Sequence, residues 1–191
     1  MKGLRTTLSQ VAILGVLFVG LVGCQTTQPP LRTATQVNLE RLNGDWYVIA
    51  NIPTFIERKA FNAIESYQLD DKGRVQTTFA FNKGSFDGPR KTYNPTGFVT
   101  DDPSNAVWGM QFVWPVKAEY RIMQVDDNYS ELVVGRTKRD YVWIMARTPT
   151  LDEARYVELT DMLADQGYDT TKLRKVPQRW DDTQTEGVPS E

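Results

Sequence analysis

Hydrophobic and polar residues alternate along most of the chain between residues 44 and 147, with the period of two that is typical of β-strands. In RVQTTFAF, for example, Val75, Thr77, Phe79 and Phe81 fall on one face. Turn-forming compositions such as DDKG and DDPSN separate successive runs. The pattern predicts eight strands at short intervals, which is typical of a β-sandwich or an antiparallel barrel. The eight runs are DWYVIANI, AIESYQL, RVQTTFAF, KTYNPTGFVT, AVWGMQFVW, VKAEYRIMQV, YSELVVGRT and YVWIMAR.

A helical period replaces this alternation after the last strand. The capping-box spacing of Thr150 and Glu153 predicts where the helix begins, and Gly167 predicts where it stops. TKLRKV then predicts one more short strand. Eight strands followed by one amphipathic helix favour a barrel with the helix packed on its outer wall. The apolar stripe of the predicted helix consists of Tyr156, Leu159, Met162 and Leu163.

The N-terminal residues have the composition of an export signal. Lys2 and Arg5 precede an uncharged apolar run at 11–23, which is short for a membrane-spanning helix and typical of a secretory signal peptide. A membrane helix that stays attached is the alternative. The run ends in LVGC, which resembles the lipobox of bacterial lipoproteins, and Cys24 is the only cysteine in the chain. The resemblance implies cleavage before Cys24, lipidation of Cys24 and, with Gln25 following, attachment to the outer membrane of a Gram-negative bacterium, facing the periplasm.

These signals divide the chain into four segments. Residues 1–23 are predicted to be the signal peptide, and residues 24–36 the lipidated cysteine with a flexible polar tether. The folded domain is predicted over residues 37–177, and residues 178–191 lack an apolar period and predict a disordered tail. The formal net charge is −2, so nucleic acid, which binds strongly basic surfaces, is not an expected partner.

Three stretches resemble the sequence motifs of lipocalins, and most closely those of the bacterial lipocalin and apolipoprotein D branch. They are NGDWYVIANIPTFIE, with a Gly-x-Trp-Tyr motif, VDDNYSELVVG, with Asp-x-x-Tyr spacing, and RDYVWIMARTP. The resemblance extends over residues 38–176. It implies an all-β fold, an eight-stranded antiparallel up-and-down barrel with one C-terminal α-helix packed outside. The disulfides of eukaryotic members have no counterpart in a chain with one cysteine.

The resemblance also implies that Gly44, Trp46 and Arg147 build the closed end of the barrel. Trp46 would fill the barrel floor, and Gly44 would let the preceding turn pass close by. Arg147 would lie across the indole ring in a cation–π contact and bond to carbonyl groups of the turn near Leu42 and Asn43. The alternative is that Trp46 is an ordinary core residue and Arg147 lies on the surface.

An eight-stranded barrel that is closed at one end can hold one small ligand in its interior. Because the side chains predicted to face inward are large and mainly apolar, we expect a fatty acid or a lysophospholipid, which the protein would bind, store or transport. A structural envelope lipoprotein, whose barrel is filled by its own side chains, is the alternative. The predicted ligand-binding residues are Phe79, Phe81, Trp108, Met110, Phe112, Tyr120, Trp143 and Met145.

The residue inventory argues against an enzyme. The chain contains no histidine, and its one cysteine is the predicted lipidation site, so imidazole bases, catalytic triads and thiolate nucleophiles have no candidates. Paired acids such as Asp70 and Asp71 fall in turn compositions. No acidic residue falls on a face that is predicted to point into the barrel. We therefore predict no catalytic residues, no metal site and no cofactor.

Overall fold

The computed structural model describes residues 28–180, which form ten β-strands and one α-helix. Short 3-10 turns lie at Glu40–Leu42 and Thr170–Lys172, and the helix α1 spans Glu153–Asp165. The strands are β1 (Gly44–Ile52), β2 (Ala60–Leu69), β3 (Arg74–Lys83), β4 (Arg90–Tyr93), β5 (Thr96–Val99), β6 (Val107–Val113), β7 (Val116–Val125), β8 (Glu131–Gly135), β9 (Val142–Ala146) and β10 (Arg174–Lys175).

The strands form one antiparallel sheet that closes on itself. From β1 to β9 the neighbours follow chain order, and β9 pairs back with β1, for example between Tyr47 and Ala146. Both β4 and β5 pair with β3, so together they occupy one position around the barrel. The barrel therefore has eight strand positions, and the predicted fold class is confirmed.

The fourth predicted strand is divided by Asn94 and Pro95. Proline has no amide hydrogen to donate to a neighbouring strand, and the carbonyl of Pro95 instead accepts a hydrogen bond from the amide of Thr77 at 3.0 Å. The short strand predicted in TKLRKV is β10, which pairs with the β1 strand where Ala50 lies opposite Lys175.

Two apolar cores lie on the two sides of the barrel wall. Alternation along β1 directs Val48 into the barrel, where it joins the core that contains Trp46. The next residue, Ile49, points outward and packs in a second core with Leu159 and Leu163 of α1. The helix is thus packed on the outer wall, as predicted from its apolar stripe.

The cap at the start of α1 differs from the prediction. The carboxylate of Asp152, rather than the hydroxyl group of Thr150, accepts hydrogen bonds from the amides of Ala154 and Arg155 at 2.9 and 3.3 Å. Aspartate directly before the first helical residue is well placed to bind these free amides. The predicted stop is present, since Gly167 follows the last turn with φ of +86°.

The folded part of the chain extends beyond the predicted boundaries. Within the predicted tether, Leu31 is buried and the amide of Ala34 donates to the carbonyl of Ile122 at 3.0 Å. Within the predicted tail, the Gln178 amide group donates to the carbonyl of Val48 at 2.8 Å, and Trp180 packs edge-on against a β1 tyrosine. Both segments contact the barrel because they carry apolar and amide groups that the barrel wall can accommodate.

The predicted signal peptide, Cys24 and the end of the predicted tail lie outside the described residues. Within residues 28–180, no helix combines the length and the apolar character that a membrane crossing requires.

Candidate ligand-binding site

The closed end of the barrel is built around Trp46, which is fully buried. Its indole Nε1 donates to the carbonyl of Leu42 at 2.8 Å. The guanidinium carbon of Arg147 lies 3.8 Å from the indole ring centroid. The Arg147 Nη2 donates to the carbonyls of Arg41 and Asn43, both at 2.9 Å, and to that of Leu42 at 3.3 Å. The floor therefore has the geometry that the motifs implied, with its polar atoms paired.

Gly44 is required at this floor by its backbone and by its neighbour. Its φ is +95°, a conformation that side chains disfavour, and an added Cβ would lie 3.3 Å from Arg147 Nη1. The middle motif reaches the same place, because the carbonyl of Tyr129 accepts from Arg147 Nε at 3.3 Å. The guanidinium group of Arg41 covers the Tyr129 ring at 4.0 Å from its centroid. All three motifs thus meet at one end of the barrel.

Above this floor the barrel contains a cavity of about 470 Å³. Aromatic and aliphatic side chains form most of its wall, with a few polar groups among them. The predicted ligand-binding residues that line it are Phe79, Met110, Phe112, Tyr120 and Trp143.

Three predicted ligand-binding residues are inside the barrel but do not line the cavity. Trp108 stacks on Tyr120 with 5.5 Å between ring centroids, and its Nε1 donates to the carbonyl of Asn105 at 2.7 Å. Met145 is fully buried beside the floor core, and Phe81 packs against Phe79 at 5.3 Å. These side chains fill the space around the cavity, and a ligand inside the cavity would not contact them directly.

The open end of the barrel is formed by the loop at 53–59 and by the turn between β6 and β7. Phe112 lines the cavity but is 51% exposed, because β6 continues past the barrel wall at this turn. Trp114, in the turn itself, is 82% exposed. Phe55 in the opposite loop also lines the opening and is 78% exposed. The mouth of the cavity is therefore apolar.

Arg136 adds a cationic group to this open end. It follows β8, whose first residue pairs with Ala146 beside the floor, so Arg136 lies at the opposite end of the strand. Its Nη1 is 3.4 Å from a carboxylate oxygen of Asp140, and its guanidinium carbon is 5.3 Å from the Tyr141 ring centroid. Its Nε is buried and has no hydrogen-bond partner within residues 28–180.

Glu65 places a carboxyl group at the inner end of the cavity. It is the partner of Trp46 in the β1–β2 register, so its side chain points inward beside the floor. Its Oε1 accepts from the hydroxyl of Tyr120 at 3.2 Å, and the Tyr120 hydroxyl is also hydrogen-bonded to that of Tyr67. Burial, and after it the negative charge of Glu57, raises the pKa of Glu65 to about 7.

Glu57 also lines the cavity with its carboxylate, and it holds the 53–59 loop in place. Its Oε1 accepts from the amide and hydroxyl groups of Thr54 at 2.9 and 2.8 Å. Its Oε2 accepts from Asn51 Nδ2 at 3.1 Å and from Trp143 Nε1 at 3.0 Å. Both carboxylate oxygens of Glu57 are therefore satisfied by donors of the barrel, whereas within residues 28–180 Glu65 accepts a hydrogen bond at Oε1 alone.

The prediction that no acidic residue points into the barrel is wrong. For Glu65 a signal was present in AIESYQL, because Glu65 shares a strand face with Ala63 and Tyr67, and a tyrosine on that face indicates the interior. For Glu57 no such signal exists, since it lies in a loop where the period of two does not apply. Across residues 28–180, no cluster of three acidic, histidine or cysteine side chains is arranged to hold a metal ion.

Comparison with protein families decides the classification. A family model described as a lipocalin-like domain matches residues 37–178. The chain belongs to this family. The outer membrane lipoprotein Blc of Citrobacter freundii is 30% identical over 164 residues, which cover 83% of this chain and 90% of that protein. Temperature-induced lipocalin-1 of Arabidopsis thaliana is 27% identical over 162 residues, which cover 80% of this chain and 86% of that protein. The similarity to Blc supports the bacterial lipocalin branch.

Solved structures give the same fold. Insecticyanin from the tobacco hornworm Manduca sexta superposes with a TM-score of 0.61 at 15% identity, covering 81% of this chain and 87% of that chain. The cockroach allergen Per a 4 gives a TM-score of 0.59 at 18% identity, covering 78% of this chain and 92% of that chain. At such identities the likeness supports the lipocalin barrel alone.

Proposed function

We propose that this lipocalin is anchored to the outer membrane through Cys24, faces the periplasm, and binds, stores or transports fatty acids or lysophospholipids. The observation that carries the proposal is the apolar cavity of about 470 Å³, open at one end and closed by Trp46 at the other. Its volume falls within the range of small-molecule sites, roughly 300–1,000 Å³. A barrel filled by its own side chains, as a purely structural lipoprotein would have, lacks such a space.

The distribution of charge supports an orientation for the ligand. An anionic head group would be attracted to the positive charge of Arg136, which lines the cavity at its open end. The inner end carries Glu65, so a carboxylate or phosphate there would be repelled. The acyl chain therefore enters first. We propose no catalytic role, because lipocalin-like proteins are in general binding and transport proteins.

Hexadecanoic acid is expected to bind the soluble chain from residue 25 onward with a dissociation constant in the micromolar range. Burial of ten methylene groups contributes about 8 kcal/mol, from which the costs of association and ordering are subtracted. Hexanoic acid should bind at least about a hundredfold more weakly, because it lacks most of the methylene groups that the longer chain buries. Titration followed by tryptophan emission measures both, and equal affinities for the two acids would contradict a cavity that holds an acyl chain.

The control uses two tryptophans in different positions. Trp143 lines the cavity, so Trp143→Ala should weaken binding of hexadecanoic acid by about tenfold or more. Trp114 is 82% exposed and outside the lining, so Trp114→Ala should leave the affinity unchanged. Equal effects of the two substitutions would place the ligand elsewhere.

Cys24→Ser is expected to abolish lipid attachment and release the protein from the membrane fraction. A serine cannot accept the thioether-linked diacylglyceryl group, and stable anchoring needs more than one acyl chain. Labelling of cells with radioactive palmitate, followed by fractionation, measures both effects. Gln25→Ala, next to the cysteine, is the matched control and should still be labelled. Equal label in the Cys24→Ser variant and the unchanged chain would rule out this anchor.

A further inference from the structure

Glu65 has an unused hydrogen-bond acceptor in an otherwise apolar part of the cavity. The side chain lines the cavity and the residue is only 6% exposed. The hydroxyl proton of Tyr120 is donated to Oε1. The only hydroxyl proton of Tyr67 is then the one in the bond between the two tyrosines. No described residue is left to donate to Oε2.

A plain acyl chain is a poor partner for this group. It would cover Glu65 Oε2 without giving it a hydrogen-bond donor, and this lowers affinity. A hydroxyl group at the same place would supply a donor, and hydrogen bonds to charged groups are among the stronger ones. The inner end of the cavity is therefore chemically suited to a donor.

The opposite end of the ligand is constrained by Arg136, a cation at the cavity mouth. A ligand that satisfies both ends carries an anionic head group and, towards the far end of its chain, a hydrogen-bond donor without negative charge. A second carboxylate at the inner end would face Glu65, which is unfavourable in a site of low dielectric constant.

We propose that the preferred ligand is a hydroxylated acyl chain, with its head group beside Arg136 and its hydroxyl group donating to Glu65. This inference rests on the proposed function and names a narrower class of ligand for the same cavity. Glu65 acts here as a residue that determines specificity. The Tyr120 hydroxyl, which is itself hydrogen-bonded to that of Tyr67, positions the Glu65 carboxyl group because it binds Oε1 and leaves Oε2 for a ligand.

The test compares hexadecanoic acid with hydroxyhexadecanoic acids that carry the hydroxyl group in mid-chain, near the end or on the terminal carbon. The protein is the soluble chain from residue 25 onward, which contains every described strand and both cores. At pH 8, above the pKa of Glu65, at least one hydroxylated acid should bind about tenfold or more tightly than hexadecanoic acid, the effect of one hydrogen bond to a charged group. If no member of the series binds more tightly, the inference is overturned.

Variants separate Glu65 from other acids of the cavity. Glu65→Leu removes the acceptor, and the preference should disappear or reverse, because the hydroxyl group would be buried without a partner. Glu119→Gln, at a carboxylate that also lines the cavity but already binds Thr137, should keep the preference. A preference that persists in Glu65→Leu also overturns the inference. If neither the plain nor the hydroxylated acids bind the unchanged protein, the proposed carrier function itself fails.

Discussion

Replacement of Trp46 by alanine is expected to lower the free energy of unfolding by about 3–5 kcal/mol, the range for removal of a large buried aromatic side chain. Trp46 is fully buried, its Nε1 is bonded to Leu42, and its ring supports the guanidinium group of Arg147. The substitution therefore opens a cavity in the floor and removes one face of the Arg147 site. Urea unfolding followed by circular dichroism measures the loss.

A double-mutant cycle tests whether the contact between the two residues stabilises the floor. Arg147→Ala should also destabilise, since it leaves the carbonyls of Arg41 and Asn43 without their donor. The double variant should lose less than the sum of the single losses, by about 1–2 kcal/mol for a desolvated cation–π pair. Lys117 and Phe98 provide the matched control pair. The Nζ of Lys117 lies 3.6 Å from the Phe98 ring centroid on the barrel surface. Strict additivity for Trp46 and Arg147 would mean that their contact contributes nothing.

The closed end was the most predictable part of the molecule. Alternation has a period of two, but it does not tell which of the two faces is buried. At the floor the Gly-x-Trp motif removes this ambiguity, and Trp143, four residues before Arg147, follows from the same register. For that reason the positions of Trp46, Arg147 and Trp143 could be anticipated from the sequence.

The depth of each side chain along the barrel could not be predicted. Phe81, Trp108 and Met145 all point inward, as their alternation indicated, yet none of them lines the cavity. A pattern of inward and outward positions contains no information about distance from the floor, or about where packed side chains end and empty space begins. Phe112 shows the same problem at the open end. Its position in the alternation is that of an inward-facing residue, but it lies at the rim of the barrel and is half exposed.

The polar groups of the cavity were missed for a different reason. An acidic residue in a strand is expected on the solvent side, since burial of its charge is unfavourable. Glu65 departs from this rule because two tyrosine hydroxyl groups accompany it inside the barrel. Such departures from a local rule are typical of functional sites, which is why Glu65 is also the residue on which the ligand inference depends.

Glu65 should make the stability of the barrel depend on pH. The pKa of Glu65 is about 7 in the folded protein, against an ordinary value of 4.5. Between these values the folded protein binds more protons than the unfolded chain, so the free energy of unfolding falls as the pH rises. Each unit of difference in pKa corresponds to about 1.4 kcal/mol. The loss of unfolding free energy due to Glu65 is therefore absent when the pH is below 4.5 and reaches about 3 kcal/mol when the pH is above about 7.

Glu65→Gln should remove this loss, because glutamine keeps the shape and an acceptor for Tyr120 but does not ionise. In urea unfolding, the variant should resemble the unchanged protein at pH 4 and exceed its stability by about 3 kcal/mol at pH 8. Glu119→Gln is the control, because the pKa of Glu119 is shifted in the opposite direction to that of Glu65. Burial alone would raise the pKa of Glu119, but hydrogen bonds from Thr137 and Arg121 hold it below its usual value. The Glu119 carboxylate therefore stabilises the fold above its unfolded pKa, and its replacement should cost stability at pH 8 and little at acid pH. A Glu65→Gln variant whose difference from the unchanged protein is the same at both pH values would show that the folded barrel does not hold Glu65 in its neutral form.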